Sequence, residues 1–156
     1  MVMSKMRGGD VYYFEDLEIG REYGSHQVEM TEKDILIFAS YFDPQPFHTD
    51  REAASHSVFG KLVASGWHTA AVTMRLRVTG ELQLAGGWVG MGVEGLKWPQ
   101  PVEPGDVLHA KTVVLEKRES KSNPRRGIIR VRTQTFNQRD ELVFETTSVQ
   151  LVDRRV

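Results

Sequence analysis

The stretch WHTAAVTMRLRVTGEL, residues 67–82, is the longest uninterrupted helical candidate in the chain. Trp67, Ala70, Ala71, Val72, Met74, Leu76 and Val78 place apolar side chains on most of its sides, and a helix apolar nearly all round belongs inside a protein. Everything after Gly86 follows a different period. Segments 107–117, 127–136 and 142–152 alternate with period two and read as strands, and 137–141 joins the last two as a hairpin. Segment 88–98 alternates Val89, Met91 and Val93 and then changes phase to Leu96 and Trp98, which predicts a bulge near Gly95. A turn is expected over 99–105. Four antiparallel strands leave one sheet face in need of cover, and only 67–82 is apolar enough to supply it. The expected class is therefore α+β, a long central helix wrapped by an antiparallel sheet.

Upstream of that helix the signals are local. Residues 12–20, YYFEDLEIG, read as a loop or 3₁₀ segment that packs its aromatics, and 21–30 reads as a strand. Thr31 is a good N-cap, with Asp34 at N3 and with Met30 and Ile35 placed as a hydrophobic staple. Ile35, Leu36, Phe38, Ala39 and Phe42 then share one face, so 32–42 is expected to be an amphipathic helix. Pro44 and Pro46 are expected to end it, since neither can donate a backbone hydrogen bond. Thr49 with Glu52 reads as a capping box for a short helix at about 50–56.

The length of 156 residues fits one domain, expected over 11–156 behind a loose segment 1–10. The absence of cysteine removes disulfides, Cys-based zinc sites, iron–sulfur clusters and thiol nucleophiles together. A net charge of -1 argues against a general binder of nucleic acid or of membrane surfaces. No apolar run approaches the roughly 20 residues of a membrane span. No apolar segment follows Lys5 and Arg7, so no signal peptide is expected and a cytoplasmic location is the default.

Two segments carry reactive residue types. In FDPQPFHTD, residues 42–50, Asp43 and His48 flank a Pro-x-Pro spacer just past a helix end. Two prolines stiffen that loop and lower the entropy of holding an acid and an imidazole at fixed separation. Such a pair can position a water and activate it by general base catalysis; the same residues would also serve a proline turn whose Asp and His only bond the loop. In LVASGW, residues 62–67, Ser65 is placed to cap the central helix, leaving free N–H groups around Gly66. Those donors suit an oxygen that gains negative charge, such as a thioester carbonyl in an enolate-like transition state; a plain capped helix start is the other reading.

With these segments in view, the sequence resembles the MaoC-like dehydratases, relatives of the (R)-specific enoyl-CoA hydratases of the hotdog-fold superfamily. That family's hydratase motif, Asp-x-Asn-Pro-hydrophobic-His followed by an acid and a short alanine-containing helix, is matched by Asp43-Pro44-Gln45-Pro46-Phe47-His48, Thr49-Asp50 and Ala53-Ala54. Its His-Gly at the head of the central helix is matched by Ser65-Gly66, and its Pro-Gly-Asp turn by Pro104-Gly105-Asp106. Residues 13–20 and Phe136-Asn137-Gln138 are also similar, so the likeness covers nearly the whole chain. Gln45 stands where Asn is usual, and Ser65 where His is usual.

The resemblance implies a hotdog fold and reversible addition of water to a trans-2-enoyl thioester, with coenzyme A the expected carrier and no separate cofactor. It implies Asp43 and His48 as the catalytic pair, Gly66 N–H as the donor to the thioester oxygen, and Gln45 and Ser65 in support. It also implies a homodimer, or a higher assembly of dimers, with the ligand along the interface. Alternatives are a hotdog thioesterase, disfavoured because 67–80 lacks an acid, and a non-catalytic acyl-thioester-binding protein. Arg125 and Arg126 lie in a basic run, 117–132, whose guanidinium forks suit coenzyme A phosphates, although a solvated hairpin is the favoured reading of that run. His26, His56, His68 and His109 show no metal-ligand spacing, so no metal site is expected.

Overall fold

The computed structural model describes residues 9–155, so the expectation of a loose 1–10 lies, for residues 1–8, outside the described residues. Strands Val107–Glu119 (β6), Arg126–Phe136 (β7) and Leu142–Asp153 (β8) form an antiparallel meander, and Val89–Lys97 (β5) pairs with the far side of β8. The order of this sheet is β6-β7-β8-β5. The phase change near Gly95 is a register shift between Val93 and Gly95, and a second shift lies between Gly90 and Gly92. The outer edge of β6 takes two short strands, Glu22–Tyr23 (β2) and Val28–Glu29 (β3). Among the described residues, no helix is long and apolar enough to cross a membrane.

The expected strand over 21–30 is thus broken in the middle, for a physical reason. Gly24 N–H donates to the Glu81 carboxylate at 2.7 Å, and Gly24 O accepts from Glu81 N–H at 3.0 Å. The Ser25 hydroxyl oxygen accepts from Ala110 N–H at 2.8 Å. The chain leaves the ladder there because other partners satisfy the same backbone groups. Val11–Tyr12 (β1) and Gln83–Leu84 (β4) form a separate parallel pair that two-residue segments cannot announce by periodicity.

Helix Glu32–Phe42 (α1) starts as expected, with the Thr31 hydroxyl accepting from Asp34 N–H at 3.1 Å. Two local expectations need correction. Pro46 does not end a helix but opens one, Pro46–Thr49 (α2), where its fixed φ suits the first helical position. The cap of Arg51–Ser55 (α3) is Asp50, whose carboxylate accepts from Ala53 N–H at 2.7 Å. Thr49 lies inside α2 and its hydroxyl donates back to Gln45 O.

The central helix, Gly66–Val78 (α4), packs on the sheet, bonding β7 through Thr73 and β8 through Arg77, and ends four residues before Leu82. It is not buried all round. Trp67, Met74 and Val78 are exposed, while His68, Thr69, Thr73, Leu76 and Arg77 are the buried positions. The sheet surface beneath is itself rich in hydroxyls: Thr73 bonds Thr135 at 2.7 Å, and Thr112 bonds Thr133 at 2.9 Å. Apolar packing concentrates at the two ends instead. One cluster joins Met30, Ile35, Leu76, Leu108 and Val143; the other joins Phe14, Leu17, Leu82, Ile129 and Val152. Full burial of each such aliphatic side chain is worth about 1.5–3 kcal/mol.

Gly127 on β7 locates the tightest point of the second cluster. A Cβ there would fall inside the Phe14 ring, which is itself in the core. Gly127→Ala is expected to cost about 1–3 kcal/mol by overpacking and to lower Tm by about 3–10 °C. A melting curve that superimposes on the unsubstituted protein refutes the packing argument.

Candidate active site

Asp43 is the C-cap of α1, its backbone off the helix at φ -153°, ψ 66°, and Pro44 prevents continuation. Gln45 is extended, Pro46 opens α2, and that single turn carries His48 inward to a buried position. The segment before α4 runs alongside, held by Val63 N–H to Phe47 O at 3.2 Å and Ala64 N–H to Val102 O at 2.8 Å. Ser65 then caps α4, its hydroxyl accepting from Trp67 N–H at 3.3 Å. Two helix ends and a proline spacer therefore bring Asp43, Gln45, His48, Ser65 and Gly66 together.

Their hydrogen bonds set the protonation pattern. His48 Nδ1 lies 2.7 Å from Val63 O. A carbonyl only accepts, so Nδ1 carries a proton, and in the neutral tautomer the lone pair is then at Nε2. That lone pair faces Asp43 Oδ2 at 3.3 Å. Asp43 Oδ2 also accepts from the Ser65 hydroxyl at 2.7 Å, and Oδ1 accepts from Gln45 Nε2 at 2.6 Å. Partial burial pushes the Asp43 carboxyl up, but the hydrogen bonds it accepts from Ser65 and Gln45 are the main opposing cause, and the group lies below its ordinary value. Asp43 is thus a carboxylate at neutral pH. In that tautomer two acceptors face each other across 3.3 Å, and a water in the cleft can satisfy both by donating one proton to each.

Both side chains open on a cleft of about 450 Å³ that Gly66, Thr69 and Trp98 also line. Among the described residues no acceptor takes the Gly66 N–H. Trp98 lies across this glycine: its Nε1–H donates to Gly66 O at 2.8 Å, and its ring packs edge-on against Trp67 with centroids 5.2 Å apart. The cleft therefore holds an acid–imidazole pair, a free amide donor at a helix N-terminus, and aromatic walls.

Arg125 and Arg126 are not brought to it. They sit at the β6–β7 hairpin, where Arg126 pairs with Asp153 at 2.7 Å. His68 is buried in α4 and stacks on Phe38 with centroids 4.6 Å apart. Among the described residues no three His, Asp or Glu side chains gather as a metal site would require. Three features of the site were missing from the sequence reading. The carbonyl of Val63 has no side-chain signature, and the seat of Trp98 on Gly66 joins residues 32 apart. The Ser65–Asp43 bond was hidden because a capping serine explains its position without a second partner.

Comparison with known proteins agrees with this geometry. The family described as MaoC like domain matches residues 15–136. The solved MaoC-like dehydratase of Rhodospirillum rubrum is 50% identical, with a TM-score of 0.89, over 93% of this chain and 99% of that one. The solved R-hydratase PhaJ1 of Pseudomonas aeruginosa is 25% identical, with a TM-score of 0.72, over 92% of this chain and 86% of that one. The 3-hydroxybutyryl-CoA dehydratase of Methylorubrum extorquens is 31% identical over 107 residues, 68% of this chain and 66% of that protein. Sheet, central helix and sequence match agree, and the chain belongs to the MaoC-like dehydratase family, in its hotdog fold.

Proposed function

We propose that this protein adds water reversibly across the 2,3 double bond of a trans-2-enoyl thioester, with coenzyme A entering as part of the substrate and no other cofactor. The observation that carries the reading is the approach of His48 Nε2 to Asp43 Oδ2 at 3.3 Å, in one cleft with the unpaired Gly66 N–H. The water gives one proton to the pair as its oxygen bonds to C3. The thioester oxygen gains charge, and the Gly66 amide at the N-terminus of α4 stabilises it. The pair then returns one proton to C2, so that H and OH are added and nothing is left over. Ser65 and Gln45 hold Asp43 ionised and oriented. Names of the relatives support the reaction class: one is an R-hydratase, another acts on 3-hydroxybutyryl-CoA. The test is loss of enoyl absorbance with crotonyl-CoA; a folded protein no faster than its Asp43→Asn variant overturns the reading.

The working unit we infer is a homodimer. Trp67, Met74 and Val78 on α4 and Val89, Met91 and Val93 on β5 are exposed together, and β5 has an unpaired edge. An open edge beside an apolar face is a surface for a second copy, and two-fold pairing makes it self-complementary. Light scattering over a dilution series should give twice the chain mass or a multiple of it. A fully active species of one chain mass overturns the dimer.

A further inference from the structure

Arg77 lies in the second half of α4 and is only 6% exposed. Its guanidinium stacks on Trp88, 4.2 Å from the ring centroid. One bond is recorded, from Nη2 to the Ser148 hydroxyl at 3.4 Å, while Nε has no partner. Burial pushes the group down to about 10, so it remains a cation at neutral pH. No carboxylate pairs with it among the described residues. A buried charge without a counter-ion is costly, and a fork with unused N–H groups is a site short of its anion.

The guanidinium lines a groove of about 380 Å³ between α4 and β5. Ser148 and Gln150 from β8 stand beside it, joined by Gln150 Nε2 to Ser148 Oγ at 2.9 Å. Met74, Met91 and Val93 form the apolar part of the groove, and none of its lining residues is acidic. We propose that this groove is a carboxylate-binding site, with the Arg77 guanidinium as its cation and Ser148 and Gln150 as flanking polar groups. The charge selects the anion. One buried guanidinium neutralises one carboxylate, whereas a doubly charged phosphate would leave a net negative charge in the groove. The geometry selects it too, because Trp88 covers one face of the guanidinium and leaves its edge, where a carboxylate pairs in two-pronged fashion.

The carboxylate has two possible sources: the far end of a bound acyl group, which rests on the hydratase reading, or an acidic side chain of a second copy seated on this face. Calorimetric titration with glutarate reads the site without turnover, so a failed hydration assay does not decide it. Saturable glutarate binding by the unsubstituted protein, lost in Arg77→Met and weakened about tenfold or more in Arg77→Lys, supports a small-molecule carboxylate. No glutarate binding, with either variant dissociating at concentrations where the unsubstituted protein stays assembled, supports the second copy. Should Arg77→Met fail to fold, Arg77→Lys keeps the charge and carries both comparisons. No binding, together with assembly unchanged and Tm unchanged or raised, overturns the proposal. Replacing a guanidinium that never meets an anion by an apolar chain relieves a cost rather than removing a bond.

Discussion

His48→Ala and Asp43→Asn are each expected to lower kcat for enoyl-thioester hydration by roughly 10²-fold or more, the range for lost acid–base catalysis. The two losses arise differently. His48→Ala removes one half of the pair proposed to hold the water and leaves Val63 O, its partner at 2.7 Å, without a donor, at a cost of about 1–3 kcal/mol. Asp43→Asn keeps the shape but turns an acceptor into a donor 3.3 Å from His48 Nε2. The new N–H binds the lone pair that the water should use. Because one water needs both groups, the double variant should be little slower than the slower single one. Steady-state kinetics with melting curves check this, and near-normal turnover in either folded variant refutes the mechanism. The Asp43 bonds also set an acid limit. Its folded value is depressed, so its contribution to stability is present above the ordinary carboxylate value of about 4. That contribution is lost as pH falls through the lower folded value.

The parts legible in the sequence were those fixed by near neighbours. Thr31 caps α1, the prolines set the spacing of Asp43 and His48, Ser65 opens α4, and the phase change near Gly95 marks a bulge. Each depends on residues within about one turn. What could not be read depends on distant partners. The strand over 21–30 is interrupted by Glu81, 57 residues from Gly24. Asp50 and Thr49 are both good caps, and only the path of α2 decides between them. The central helix is the instructive case. Its abundance of apolar residues predicts burial on every side, yet Trp67 and Met74 face outward while Thr73 and Arg77 face the sheet. Helical periodicity reports how much apolar surface must be covered, not whether the cover comes from the same chain. The outward apolar face is the part of the pattern that the proposed second copy would cover. The burial of Arg77 has no signal in the sequence, because no residue near it in the chain tells of Trp88 or Ser148.

A second large loss is expected at Gly66. A Cβ at this position would lie 2.7 Å from Trp98 Cε2 and 2.8 Å from its Nε1, closer than such atoms come, so glycine is required by approach rather than by torsion. Trp98 is 41% exposed and its ring can move, but only by giving up the contacts that seat it. Its indole N–H is bonded to Gly66 O, and its ring lies against Trp67 and Phe144. An alanine in a helix is ordinarily about 0.5–1 kcal/mol better than a glycine, and here the sign should reverse. The added methyl must displace the indole or the first turn of α4, and movement of that turn would shift the Gly66 amide from the position proposed to meet the thioester oxygen. Alanine keeps the N–H, so any loss comes from position alone; a displacement of about 1 Å is enough for roughly 10²-fold. Gly66→Ala should therefore lower kcat/KM for crotonyl-CoA by about that factor, with a changed tryptophan emission as Trp98 leaves its seat. Trp98→Leu in the same chain restores space beside the methyl and should recover part of the activity. Recovery separates a steric cause from a general loss of folding, and unchanged turnover in Gly66→Ala alone would place the reacting thioester away from the head of α4.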